Sequence, residues 1–466
     1  MTLTVTAPPA PRAAPQPPGT PGGATALRRT WRDRWPLLPL VATVLLVALP
    51  SEGPEGGSVL GGATAADLVS GVAVLVCAAR LLFLRRRPLT PAAALVLGLP
   101  ALGLALATVC AGDPAAALPG FVRHLQVFVL VPAAVLLLVR DARDFRVLAG
   151  ALVLLAVVQG ATGVHQYATG SGASYMGEDV RAVGTFGPGD VMGMATVVGY
   201  GLLVAVACTL RTPAGAPRWL RPWAPVTAAL LLVPLALSFS RGAWIATAAG
   251  VLVVIALTGF RQALRSLAVL GAAAVVLVGG FGVGSEMIAQ RLTSITEVTS
   301  APDRSVSDRY TMWAAAEGMW REHPATGVGL KGFPAYRDAH ASIGLSAGSD
   351  TAGAGQEFRK QPLLSPHNMY LLVLSEQGMV GFTLLAGSWA ALLAAGVRRL
   401  SAARAGGGGG HAKAVDCGLA AVGLMTWQTV DFLYADIGGP STVLTGIVLG
   451  LAAWWALAEP ERTAAA

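Results

Sequence analysis

The chemistry in this chain rests on a few polar side chains set among apolar runs, and Arg241, Arg309 and His367 stand out. Arg241 lies in Ser238-Phe239-Ser240-Arg241-Gly242-Ala243-Trp244, which separates two apolar runs with almost no loop. A guanidinium at that depth of a membrane span is costly unless it faces a cavity or an anion. Gly242 lets the backbone turn tightly, and Trp244 suits a membrane interface. The plainer account is an arginine that snorkels from a hairpin to lipid phosphates. Arg309 begins a helical pattern in which Trp313, four residues on, shares its face. Alone it would read as a solvated arginine paired with Glu317 or Asp308. His367 sits in Ser365-Pro366-His367-Asn368-Met369-Tyr370, where a polar loop returns to an apolar run. An imidazole with an ordinary pKa of about 6.5 can take a proton near neutral pH, although a lone histidine at such a place is more often structural.

Other side chains carry weaker signals. Arg123 falls at one end of the fourth apolar run, and Arg181 in Arg181-Ala182-Val183-Gly184-Thr185-Phe186-Gly187 before the sixth; each could anchor a helix end. Glu376 follows His367 by about two and a half helical turns, on another face, so the two are not paired. It reads either as a site group or as a buried, hydrogen-bonded structural carboxylate. Asp431 lies inside an apolar run with no evident partner. His323-Pro324-Ala325-Thr326-Gly327-Val328-Gly329-Leu330-Lys331-Gly332-Phe333 is a glycine-punctuated turn able to bring backbone close to a ligand. No carboxylates or histidines fall at metal-ligand spacing, so neither metal nor other cofactor is expected. Several guanidinium groups and one imidazole suit a pyrophosphate-bearing substrate. The planar fork matches phosphate oxygens and keeps its charge, and the histidine is available to deprotonate an acceptor hydroxyl. Arginines preorganised where negative charge develops lower a barrier without a metal.

The elements that must position these groups are membrane spans. Of 466 residues, 54% are hydrophobic and only 12% charged, and the mean hydropathy of +0.62 excludes a water-soluble globule. A span needs about 20 apolar residues, and a helix satisfies its own backbone in lipid. The runs place about twelve transmembrane helices near 36–50, 67–84, 91–111, 125–139, 147–165, 191–210, 224–240, 242–260, 266–284, 369–397, 417–437 and 440–458. The fold class expected is therefore an all-α polytopic membrane protein. The net charge of +8 is spread over small groups between runs, so it reports topology rather than a nucleic-acid partner. Arg28, Arg29, Arg32 and Arg34, then Arg85 to Arg87, Arg140/Arg143/Arg146, Arg211/Arg218/Arg221, Arg261/Arg265 and Arg398/Arg399/Arg404 recur at alternate loops. By the positive-inside rule both termini are cytoplasmic.

Residues 1–27, rich in Pro, Ala and Gly, read as a disordered tail without a signal-peptide core; 28–458 form the membrane domain and 459–466 a short tail. The connection 285–366 is a large extracytoplasmic loop. Within it Ser305-Val306-Ser307-Asp308 resembles a capping box, and Tyr310, Trp313, Glu317 and Trp320 recur at helical spacing up to His323-Pro324. Residues 340–362 read as a mobile flap. Cys77, Cys110, Cys208 and Cys417 all fall in spans and read as small buried hydrophobes.

Together, the Ser-Arg-Gly-Ala-Trp turn, Arg309-x-x-x-Trp313, His323-Pro324-x-x-Gly327-Val328-Gly329-x-x-x-Phe333, and His367-Asn368-x-Tyr370 with Glu376-x-Gly378 resemble the O-antigen ligase and O-antigen polymerase superfamily. The resemblance covers about 181–381. It implies an inverting, metal-independent membrane glycosyltransferase that uses a polyprenyl-diphosphate-linked glycan donor on the outer face of the cytoplasmic membrane. The acceptor would be a glycan or a lipid. It further implies that Arg241 and Arg309 hold the donor diphosphate, that His367 is the base, and that Arg123, Arg181 and Trp313 line the donor. Gly187-Pro188-Gly189-Asp190 departs from the Asn-Pro-Asn common in relatives. The competing readings are a twelve-helix secondary transporter, disfavoured because no half repeat is evident, and a protein O-oligosaccharyltransferase or peptidoglycan-type polymerase.

Overall fold

The computed structural model describes residues 34–50, 64–84, 89–173, 180–213, 215–259, 304–341, 364–406 and 414–459, with fragments at 264–265, 268, 349–350 and 360–361. Thirteen described helices make up nearly all of it: α1 Leu38–Leu46, α2 Ala65–Leu84, α3 Pro91–Val109, α4 Pro114–Leu138, α5 Ala142–Thr169, α6 Gly193–Leu210, α7 Leu220–Leu237, α8 Arg241–Ala256, α9 Arg304–Glu322, α10 Phe333–His340, α11 Met369–Arg404, α12 Val415–Asp431 and α13 Thr442–Leu457. Ser349–Asp350 pairs antiparallel with Lys360–Gln361. Seven helices (α2 to α7 and α11) are long and apolar enough to cross a bilayer, and Trp35–Leu46, α8 and α13 are shorter apolar helices. This is a multi-pass helical membrane protein. Apart from residue 268, the ninth expected span, 266–284, lies outside the described residues, as do the N-terminal tail, residues 460–466 and most of the expected flap.

Local chemistry sets the helix starts. Asp113 accepts from Ala115 N and Ala116 N at 3.0 and 3.1 Å, with Pro114 in the first turn, so α4 begins about eleven residues before the expected 125. Asp141 accepts from Arg143 N and Asp144 N at 2.8 and 2.9 Å to start α5. These carboxylates satisfy amides that have no partner inside their own helix. The proposed capping box at Ser305–Asp308 falls within the first turns of α9 rather than ahead of it. A larger correction concerns α12. The apolar run 417–437 continues past its last helical residue, Asp431, and Phe432–Ser441 is a connection. Its apolar start, Phe432-Leu433-Tyr434-Ala435, imitates a span, and the breakers Gly438-Gly439-Pro440 come only later.

The bundle has two chemically distinct ends. At one, Arg146 makes a bidentate pair with Asp416 at 2.8 and 2.9 Å, joining α5 to α12. Arg34 reaches Asp141 and Asp144 at the same end, at 3.4 and 3.3 Å. At the other end, α6, α8, α11 and α13 all begin, and the candidate residues gather there.

Candidate active site

The connection Phe432–Ser441 is the hub on which the signature residues converge. Met369 N, at the start of α11, donates to Phe432 O and Ala435 O at 2.9 and 3.0 Å. Asn368 caps α11 by accepting from Leu371 N at 3.0 Å, and its Nδ2 donates to Leu433 O at 3.1 Å. Tyr370 Oη donates to Thr429 O at 2.7 Å. The first turn of α8 seats on the same connection, because a Cβ on Gly242 would lie 2.8 Å from Tyr434 Cβ. Only glycine allows the Arg241 turn to approach so closely. Ser240 caps α8 through Ala243 N at 3.3 Å, leaving Arg241 as its first helical residue.

Two more segments complete the ring. Asp190 Oδ2 accepts from Ser441 Oγ and N at 2.7 and 3.3 Å, and burial pushes this carboxyl above its ordinary range. Arg181 N bonds Ala173 O at 2.7 Å, and the adjacent Ala182 N donates to Leu237 O at 3.1 Å, which sets Arg181 beside the turn that carries Arg241. From the loop side, Trp313 Nε1 of α9 donates to Pro366 O at 2.9 Å, one residue before the histidine. Tyr310 packs edge-on against Trp313 with ring centroids 5.6 Å apart.

His367 itself has a left-handed backbone, φ 50°, a conformation that costs a side-chain-bearing residue about 1 kcal/mol or more. It is over-determined on both sides, by Trp313 on Pro366 and by the Asn368 and Met369 bonds. Its pKa is lowered: desolvation is the main cause, the Arg309 charge adds to it, and the carboxylate of Asp436 opposes both. The imidazole is therefore neutral at neutral pH and can accept a proton. Asp436 Oδ2 and Asp431 Oδ1 are buried and accept no hydrogen bond among the described residues.

Arg241, Arg309, His367, Arg181 and Trp313 thus ride on segments that meet at one end of the bundle. Arg123 stands apart: its guanidinium pairs with Asp67, which also accepts from Thr64 N and Oγ1 at 3.0 and 2.9 Å. This pair joins α4 to α2. Removing one partner of a buried pair strands the other charge, so Asp67→Ala is expected to destabilise the protein toward the lower end of roughly 3–5 kcal/mol. The fall should appear in a thermal unfolding curve in detergent; an unchanged midpoint would show that the pair contributes nothing.

Glu376 resolves to the structural alternative, buried and accepting from Phe333 N at 3.2 Å. The glycine-punctuated turn 323–333 approaches the backbone of α11 rather than an open ligand space. Sequence reasoning missed Tyr434, Asp436 and the bonds of Asp190 to Ser441. Their signal was the pair of acids flanking an apolar stretch just before Gly438-Gly439-Pro440.

The fold and this convergence define a polytopic helical membrane protein with guanidinium groups and an imidazole assembled at one end of its bundle. Residues 226–386 match the family model for O-antigen ligase, which agrees with the resemblance carried by the signature residues in that segment. That segment runs from α7 into α11 and contains Arg241, Arg309 and His367. Comparison with curated proteins gives no match.

Proposed function

We propose that this chain transfers a polyprenyl-diphosphate-linked glycan to a glycan or lipid acceptor at the extracytoplasmic face of the cytoplasmic membrane. In this reading the site end of the bundle faces outward, twelve spans place both termini in the cytoplasm, and residues 28–458 form one transferase domain. The acceptor hydroxyl oxygen attacks the anomeric carbon and gives its proton to His367. The bond from that carbon to the diphosphate oxygen breaks, and its electron pair leaves with the diphosphate. Attack opposite the leaving group inverts the anomeric centre.

Arg241 and Arg309 stabilise the charge that grows on the diphosphate, and Arg181 and Trp313 shape the donor pocket. We assign Arg123 to holding α2 on α4. The observation that carries this reading is the shared hub: one short connection, 432–441, holds the Arg241 turn and the His367 corner together, and Trp313 ties the Arg309 helix to that corner.

Glycan analysis of a deletion strain tests it. Loss of long chains marks a polymerase, and accumulation of full-length lipid-linked chains marks a ligase. An unaltered envelope glycan would overturn the proposal.

The electrostatics of His367 yield a pH prediction. Because its pKa lies below the ordinary value, the acid limb of kcat/KM should fall below about 6.5. Arg309→Gln removes a positive charge that lowers this pKa, so the limb of the residual activity should move up. Asp436→Asn removes a negative charge that raises it, so the limb should move down. Profiles that coincide for all three proteins would remove His367 from the role of base.

A further inference from the structure

Helix α11 is broken, and a loop segment fills the break. Gly378 has φ 64° and ψ −168°, so the helix is interrupted ten residues in. Interrupting a helix frees backbone groups that lipid cannot satisfy. Here the segment after α9 takes them up. Val328 N donates to Ser375 O at 2.8 Å and Gly329 N to Glu376 O at 3.0 Å, while Met379 N donates to Pro324 O at 2.8 Å and Val380 N to Ala325 O at 3.2 Å. The approach is too close for side chains: a Cβ on Gly327 would lie 2.4 Å from the Glu376 carbonyl carbon, and one on Gly378 would lie 2.3 Å from Ala325 O. The Glu376 carboxylate then reaches around the turn to accept from Phe333 N at 3.2 Å and from the backbone of Lys331.

This joint has a partner at the other end of α9, where Trp313 Nε1 bonds Pro366 O at 2.9 Å. Between the two joints, Met312, Ala315, Ala316 and Met319 form a stripe in the same buried cluster as Met369, Leu372 and Val373 of α11. The spacings also agree. From Trp313 to Glu322 is about 14 Å of helix and from Met369 to Gln377 about 12 Å, so α9 lies alongside the first part of α11, pinned near both ends.

From this geometry we infer that Glu376 is a positioning residue: by holding the 324–333 turn in the Gly378 break, it fixes the register of α9, and so of Arg309, against His367. The inference rests on the reaction proposed above for its catalytic consequence, while the clamp is a structural statement with its own readout. Glutamine keeps a carbonyl oxygen able to accept both backbone donors, whereas alanine cannot. A misplacement of about 1 Å at a catalytic group costs about 10²-fold in rate.

The test compares wild type, Glu376→Gln, Glu376→Ala and Gly378→Ala in detergent, by hydrogen–deuterium exchange across 320–336 and by turnover of a lipid-linked glycan donor. Circular dichroism and monodisperse elution serve as folding checks. The expected result is exchange about tenfold faster at the 327–333 amides in the two alanine variants. Turnover should fall about 10²-fold in both, and Glu376→Gln should resemble wild type in exchange and turnover. Unchanged exchange in Glu376→Ala would overturn the clamp. Equal loss of turnover in the glutamine and alanine variants would do so as well, since it would make the carboxylate itself a reacting group. A wild-type protein without transfer activity would count against the proposed reaction, and the exchange data would still decide the clamp.

Discussion

Replacing His367 with alanine is expected to lower glycan transfer by about 10²- to 10⁴-fold, the usual contribution of a positioned general base. The folded protein should survive the change. The bonds that shape this corner come from the neighbours: Trp313 to Pro366 O, Asn368 to Leu433 O, and Met369 N to the carbonyls of Phe432 and Ala435. None uses the imidazole. The loss should fall on kcat, because proton removal belongs to the transition state and not to donor binding. Steady-state assays on purified protein, with insertion and elution checked in parallel, separate the outcomes. Wild-type transfer by the alanine variant would refute the assignment of the base.

The fold was legible in the sequence wherever burial in lipid dictates composition. Uninterrupted apolar runs announce spans because a bilayer admits little else, and α2, α3, α5, α6, α7 and α11 lie close to where the runs place them. Helix α9 was legible for a different reason. Its aromatic and acidic residues recur at helical spacing, and His323-Pro324 ends them. Composition is blind where an apolar stretch leaves the helix for a tertiary reason. Phe432 to Ala435 are apolar enough to continue α12, yet the carbonyls of Phe432, Leu433 and Ala435 face α11 and hold the His367 corner.

The break at Gly378 was equally hidden, since a glycine inside a long apolar helix more often marks close packing than interruption. Its partner segment lies about fifty residues earlier, and no local pattern links Gly327 to Gly378. The site was legible as a list of residue types but not as a neighbourhood. Backbone strain supplies part of the missing link. Among the described residues, those with left-handed backbone that are not glycine are Phe239, Lys331 and His367: one stands two residues before Arg241, one lies in the clamp, and one is the proposed base. Strain of this kind persists only where surrounding contacts over-determine it, and here those contacts belong to the proposed site or to the clamp.

Arg241→Lys is the substitution that separates the two accounts of the arginine turn, and it is expected to lower kcat by about 10²- to 10³-fold, as loss of a preorganised oxyanion partner does. Lysine keeps the positive charge and the stem, so a residue that merely snorkels to lipid phosphates would tolerate the exchange. A residue that grips a diphosphate through a planar fork would not, because an ammonium cannot present parallel donors to two oxygens. The fold gives lysine no reason to disturb the turn. Ser240 still caps α8 through Ala243 N, and Gly242 still seats against Tyr434. The effect on KM should be smaller than on kcat, since the diphosphate gains charge as the glycosidic bond breaks and the fork matters most at that point. Wild-type kinetics in Arg241→Lys, with normal insertion, would return Arg241 to the role of an interfacial anchor and leave Arg309 as the remaining candidate for the diphosphate.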